Sequence, residues 1–143
     1  MTTSIVDTSF VVGLMNQDDP HHSRIAMAAR ALRTRPWLPT VAMVEVCSLL
    51  HHRRGARVDA EFVAGLARPD AAFALLDAIP ADYLRSAEIM AKYGDSGVDF
   101  VDAVIVAVAE RLNIGTILSL DHRHFGIVRP RHRAAFELLP APE

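Results

Sequence analysis

The sequence predicts an α/β fold in which βαβ units surround a parallel sheet, and three observations carry that prediction. Short runs rich in apolar and β-branched residues alternate with longer stretches of helical period along the 143 residues. Acids fall where such folds collect ligands: Asp7 and Asp121 at the ends of strands, and Asp102 in the first turns of a helix. No internal repeat, low-complexity tract or long linker divides the chain, so residues 1–143 are expected to form a single domain.

The first strand is "SIVD". A short helix, "TSFVVGLMN", opens at Thr8 or Ser9, and a second, "HHSRIAMAARALRTR", turns Ile25, Ala28, Ala29 and Leu32 to the core. "WLPT", confined by Pro36 and Pro39, is the second strand. Thr40 can cap a helix through "VAMVEVCSLLHHRR", where Val41, Glu45 and Leu49 share one face. Glu45 is therefore expected on a buried apolar stripe. Gly55 ends this helix, "RVDAEFVAGLA" forms another, and "FALLDAI" is the third strand. Pro80 opens a helix through "ADYLRSAEIMAKYG" that Gly94 stops. Ser96, with Asp99 three positions on, has the form of a capping box and is expected to start a helix reaching about Asn113. "TILSLD" is the fourth strand, and the segment after it closes on a short fifth strand from Phe136 to Leu139. The final "PAPE" is expected to fray.

Composition bounds the function. With 51% apolar, 6% aromatic and 22% charged residues, the chain has the make-up of a folded globular protein rather than a disordered one. A net charge of -2 argues against coating nucleic acid by bulk charge, though it leaves room for a local basic track. Cys47 is the single cysteine, so no internal disulfide forms and no oxidising compartment is indicated. The opening "MTTSIVDTSF" lacks the basic start and long apolar stretch of a secretory signal, and no apolar run approaches the ~18 residues of a membrane span. A cytoplasmic protein is expected, with no membrane partner.

Asp7, Glu45, Asp102 and Asp121 gain meaning as a set. Singly, Asp7 or Asp121 could cap a helix or turn, and Asp99 could serve only as the partner of Ser96. An ionised Glu45 on an apolar stripe is harder to explain, because burial disfavours its charge unless a partner or metal meets it. Two carboxylates about 5 Å apart at an effective dielectric near 20 repel by roughly 3 kcal/mol, so four together require a counter-ion. Oxygen ligation without paired cysteines or regular histidine spacing points to Mg²⁺, with Mn²⁺ as a substitute. The pairs His21/His22, His51/His52 and His122/His124, with His132, are competing metal candidates that are read as surface or packing residues; a substrate contact is left as the lesser alternative for His122 and His124, beside Asp121.

At these residues the chain resembles the PIN-domain nucleases, and among them the VapC toxins of type II toxin-antitoxin pairs. The resemblance spans nearly the whole length through "IVDTS", "VEVCSLLHHR", "FVDAVIVAVAERLNI" and "ILSLDHRHF", in the family's order and approximate spacing. It implies a PIN-like three-layer α/β/α fold with a mostly parallel central sheet of four to five strands. It also implies a Mg²⁺-dependent endoribonuclease that cleaves structured RNA, commonly tRNA or rRNA. The family's acidic set falls on Asp7, Glu45, Asp102 and Asp121, with Asp7 and Asp102 as metal ligands and with Asp99 and Thr8 as candidates for support behind them. A cognate VapB-type antitoxin and a homodimer are implied as partners. Arg129, Arg131 and Arg133 in "VRPRHR" are candidates for guiding RNA phosphates to the acidic pocket, and Arg53 and Arg54 are weaker ones.

Other classes fit less well. A phospho-receiver needs a lysine at its site, and Lys92 lies in a helix away from the acids. An aspartyl phosphatase would carry an acid two places after Asp7, where Ser9 stands. A PIN-like nuclease acting on DNA and a non-catalytic acidic binding module remain the alternatives.

Overall fold

The chain lays its first three strands outward from the middle of the sheet and then returns to the middle for the fourth. The computed structural model describes residues 3–142. In order they form β1 (Ser4–Val6), α1 (Thr8–Met15), α2 (His22–Ala31), β2 (Trp37–Pro39), α3 (Met43–Arg54), α4 (Ala56–Gly65), β3 (Ala74–Leu76), α5 (Pro80–Tyr93), α6 (Phe100–Arg111), β4 (Thr116–Leu118), α7 (His122–Ile127) and β5 (Glu137–Leu139). The sheet order is β3-β2-β1-β4-β5 and every pairing is parallel. Strand order therefore reverses between β1 and β4, and the crevice beyond their carboxyl ends is the place where parallel sheets collect ligands.

Alternation along the strands sorts the core into two layers. Ile5 and Ile117 pack with Ile89, Ile105 and Phe125 on the α5–α6 side. Val6, Leu38 and Leu118 pack with Phe10, Ile25, Val46 and Leu50 on the side of α1, α2 and α3. The three-layer α/β/α architecture expected from the resemblance follows directly. Residues Ala103 to Ala109 of α6 are all buried, which is why this helix reads as apolar all round rather than as a stripe.

Two local expectations need correction. Helix α6 does not start from Ser96, which lies in a 3-10 turn, Gly94–Ser96; Gly97 at φ 88° then takes the chain out of helical geometry. Asp99 is itself the N-cap. Its Oδ1 accepts from the Asp102 N–H at 3.1 Å, while Asp102 Oδ2 lies 3.5 Å from the Asp99 N–H. Similarly, Thr40 donates to Asp77 Oδ1 at 2.7 Å instead of capping, and Thr40–Ala42 forms a 3-10 turn before α3. The buried row is consequently Ala42, Val46 and Leu50, and Glu45 is exposed on the neighbouring row.

Helix α7 had no place among the expected elements. It is short, and its sequence signal is Asp121, whose side chain accepts from the His124 N–H at 3.0 Å. The last strand begins at Glu137 rather than Phe136. The chain end is tied down instead of frayed: Pro140 is buried, and the Ala141 carbonyl accepts from Arg24 of α2 at 2.7 Å. Glu143, like Met1 and Thr2 of the segment read for a leader, lies outside the described residues. Among the described residues no helix is long and apolar enough to cross a membrane.

The outer face of α5 and α6 is stapled by ion pairs. Asp82, 2% exposed, accepts from Arg111 Nε at 3.0 Å and also from the Ile79 N–H at 2.9 Å, so one carboxylate caps α5 and clasps α6. Arg85 makes a two-pronged pair with Glu110, at 2.7 and 3.0 Å. Replacing Asp82 by Ala should lower the unfolding free energy by about 3 kcal/mol in urea titrations, because it strands Arg111 and removes the cap. Replacing Arg57, which meets Glu61 on an exposed helix face, should change it by less than about 0.5 kcal/mol.

Candidate active site

Asp7 follows β1 directly, and the β1–β4 register carries Ser119 to the same level beyond Leu118. The Asp7 backbone starts α1, its carbonyl accepting from Phe10 and Val11 at 3.2 and 3.3 Å, but its side chain does not cap that helix. It turns toward β4 instead. Asp7 Oδ2 accepts from Ser119 Oγ at 2.8 Å and from Ser9 Oγ at 3.2 Å. The Ser9 hydroxyl in turn accepts from the Leu120 N–H at 3.0 Å, and Ser119 Oγ accepts from the Asp121 N–H at 2.8 Å. The two serines thus latch the start of α1 to the end of β4.

Around this latch lies a pocket of about 300 Å³ whose walls include all four acids expected from sequence, Asp7, Glu45, Asp102 and Asp121. Asp99 and Thr8 line it too. Glu45 arrives because Glu45, Leu49 and Arg53, at i, i+4 and i+8 of α3, form the row that faces the pocket. The face grouping read from sequence was sound, but the face opens on the pocket rather than the core. A larger cavity of about 450 Å³ between α1 and α4, lined by Met15, Arg54 and Phe62 among others, contains none of the four acids.

Burial dominates the electrostatics. It raises the Asp7 carboxyl above the usual range, against the lowering effect of Ser119, the Thr8 N–H and Ser9, and the charge of Glu45 adds to the rise. Asp102, 7% exposed, is pushed up to about 8, first by burial and then by the charges of Asp99, Asp7 and Asp121. Without a cation Asp102 keeps its proton at neutral pH.

Sequence reasoning missed the part played by His124. Its Nδ1 lies 2.7 Å from Asp121 Oδ2 and 3.3 Å from Asp102 Oδ2. The available signal was the spacing of Asp121 and His124, three apart on what proves to be a helix. Ser9 and Ser119 lie in the segments that carry the resemblance, "IVDTS" and "ILSLDHRHF", but sequence reasoning gave neither a role at the site. The other histidines pack or face solvent: His22 Nδ1 meets the Gly13 carbonyl at 2.9 Å and His132 Nε2 meets the Ile114 carbonyl at 2.6 Å.

The three arginines read from sequence as candidates for guiding RNA do not line the pocket. Arg131 pairs with Glu88 at 2.8 Å and its N–H meets Glu110, and Arg133 reaches the Asn113 carbonyl at 3.3 Å. Both contacts lie by the far end of α6 and the entry to β4, with Glu110 about 12 Å along the helix axis from Asp102. Arg129 is exposed, its backbone bonded to Tyr93 Oη, and it is absent from the pocket wall. Arg54 pairs with Asp18. Arg53, exposed at the pocket rim, is the cation the fold actually sets beside the acids.

The residues fit a divalent cation. Asp102, Asp121 and His124 each offer a ligand atom, and these atoms lie within 4.8 Å of one another. Thr8, on the wall of the same pocket, has a buried Oγ1 without a protein partner, an unmet polar group beside the acids.

Comparison with known proteins agrees with this geometry. A model of the PIN domain family matches residues 4–129. Ribonuclease VapC26 of Mycobacterium tuberculosis is 31% identical over 140 residues, covering 95% of this chain and 99% of that one. Among solved structures, Mycobacterium tuberculosis VapC20, described as a Sarcin-Ricin loop cleaving toxin, superposes with a TM-score of 0.75 at 21% identity over 85% of this chain and 92% of that one. The DNA-bound VapBC of Salmonella typhimurium gives a TM-score of 0.64 at 15% identity, over 96% and 97% of the two chains. The switch-point acids, the parallel sheet and these matches lead to one conclusion: the chain belongs to the PIN domain family, in its VapC branch.

Proposed function

We propose that the chain is the toxin of a type II toxin-antitoxin pair, a metal-dependent endoribonuclease that cleaves structured RNA and is restrained by a VapB-type antitoxin. The observation that carries this reading is the convergence of Asp7, Glu45, Asp102 and Asp121, from four separate segments, on one pocket at the β1/β4 switch point. The ribonuclease named VapC26 and the Sarcin-Ricin loop cleaving VapC20 support RNA, with tRNA or rRNA as the class; the Salmonella VapBC complex supports an antitoxin partner. A homodimer and a cytoplasmic location belong to the same reading, and exposed Met27 and Val44 offer apolar surface for the dimer.

Each side chain has a definite task. Asp7 and Asp102, buried and rigidly placed, would hold the cation, Mg²⁺ or Mn²⁺, with Asp121 and Glu45 completing the shell or orienting the attacking water. A bound divalent ion supplies charge neutralisation at the phosphoryl oxygens and a bound water of lowered pKa. Ser119 and Ser9 fix the Asp7 carboxylate by hydrogen bonds, so its orientation precedes ligand binding. Asp99 holds the first turn of α6 and with it Asp102. Arg53 at the rim would draw the RNA backbone toward a pocket that otherwise repels it.

Asp7→Asn and Asp102→Asn should each lower RNA cleavage roughly 10²- to 10³-fold in Mg²⁺ or Mn²⁺. Neither should lower the melting temperature of the metal-free protein, because a neutral amide is never called on to ionise in a buried place. Cleavage at the parental rate by both variants would remove the catalytic assignment and leave an acidic binding module.

Asp99→Ala should behave differently from Asp102→Asn. Loss of the cap should cost about 1 kcal/mol of stability, with Mn²⁺ affinity by calorimetry close to that of the parent.

Stability should also depend on pH with a definite sign. The Asp102 carboxyl titrates at about 8 in the folded chain and near 4 in the unfolded one. Between these values the folded chain keeps a proton that the unfolded chain has lost, so metal-free stability falls as pH rises from about 4 to about 8. A cation takes the proton's place. The rise in melting temperature on adding Mn²⁺ should therefore grow across that interval, and an increment independent of pH would contradict the argument.

A further inference from the structure

The acids of the pocket are met by one nitrogen donor. Asp102, Asp121 and His124 are the group among the described residues whose ligand atoms all lie within 4.8 Å of one another. Asp121 fixes the histidine twice: Oδ1 accepts the His124 backbone N–H at 3.0 Å and Oδ2 meets ring Nδ1 at 2.7 Å. Asp102 Oδ2 lies 3.3 Å from the same Nδ1. On the ring's other side is Gly97, where a Cβ would stand 3.0 Å from Nε2 and where φ is 88°. Side-chain-free backbone at 97 gives the ring its seat, with Nδ1 directed at both carboxylates. Thr8 Oγ1, buried and without a protein partner on the wall of the same pocket, is the second sign of a bound group there.

We propose that His124 is a ligand of the bound cation, its Nδ1 joining Asp102 and Asp121 in a mixed nitrogen–oxygen set that favours a first-row transition-metal ion, represented by Mn²⁺, over Mg²⁺. This rests on the metal-dependent reading above and specifies which cation that site selects. Imidazole suits transition-metal ions and, although Mn²⁺ is the most oxygen-seeking of that row, it accepts a ring nitrogen more readily than Mg²⁺, which prefers oxygen and gives up its waters reluctantly. The rival role for His124 is to hold Asp121 by a hydrogen bond while oxygen atoms alone bind the ion.

His124→Asn separates the two roles, since an amide can still donate to Asp121 but offers no imidazole nitrogen. The full-length protein loaded with Mn²⁺ is examined by electron spin echo modulation for directly bound ¹⁴N, and Mn²⁺ and Mg²⁺ affinities are measured by titration and competition. The parent protein should show the nitrogen coupling and His124→Asn should lose it. Mn²⁺ affinity should fall roughly 10- to 100-fold in the variant, with the Mn²⁺/Mg²⁺ preference falling by a similar factor. Bound Mn²⁺ without nitrogen coupling in the parent, coupling that survives in the variant, or an unchanged Mn²⁺/Mg²⁺ ratio overturns the proposal while leaving an oxygen-only metal site. Failure of the parent to bind Mn²⁺ at all overturns both this proposal and the metal-dependent reading. The parent spectrum decides the matter even if the variant is unstable.

Discussion

Asp7 follows the central strand and is 6% exposed, so its carboxyl group must be met by hydrogen bonds, a proton or a cation. The rest of the site is arranged around that requirement. Ser119 and Ser9 satisfy one of its oxygens, and through them β4 and α1 are bound together at the level where Asp121 departs. The cap of α6 then places Asp102 beside this pair, and α3 contributes Glu45 from across the pocket. Burial gives precision and also gives instability, since each added acid raises the energy of the others' charges. A site built this way has a strong intrinsic demand for positive charge.

Two charge systems at different places keep that demand from endangering the fold. Asp82, Arg85, Glu110 and Arg111 neutralise one another on the outer surface of α5 and α6. Among the described residues, Arg53 is the arginine that lines the pocket of these acids. Arginines 131 and 133, which the sequence places shortly after the last acid, serve the structural system. Chain proximity misleads here because β5 runs parallel to β4, so the segment from Asp121 to Glu137 must return to the amino end of the sheet and carries these arginines away from the acids.

What was legible in the sequence followed from periodicity and punctuation. The strand runs, the apolar helix α6 and the four acids stood out because each depends on residue type within a short window. The placement of Glu45 was misjudged: Val41 and Leu49 made its row look apolar, although the neighbouring row of Ala42, Val46 and Leu50 carries no charge and is the one that turns inward. The start of α6 was misassigned because Ser96 and Asp99 match a capping box as well as Asp99 and Asp102 do, and the left-handed turn at Gly97 decides between them. His124 was hidden for a similar reason, since its role depends on a six-residue helix that periodicity cannot detect.

Strand β4 is the fourth in the chain but lies next to the first at the centre of the sheet. During synthesis, β1, β2 and β3 can pair with one another while the other edge of β1 stays open, with Asp7 at its tip and neither Ser119 nor Asp121 yet available. The cluster can close only once the segment through His124 has emerged and slotted in beside β1. A polypeptide halted between β3 and β4 holds Asp7 and Glu45 but cannot assemble the acidic pocket, so the order of strands makes completion of the pocket a late event in the making of the chain.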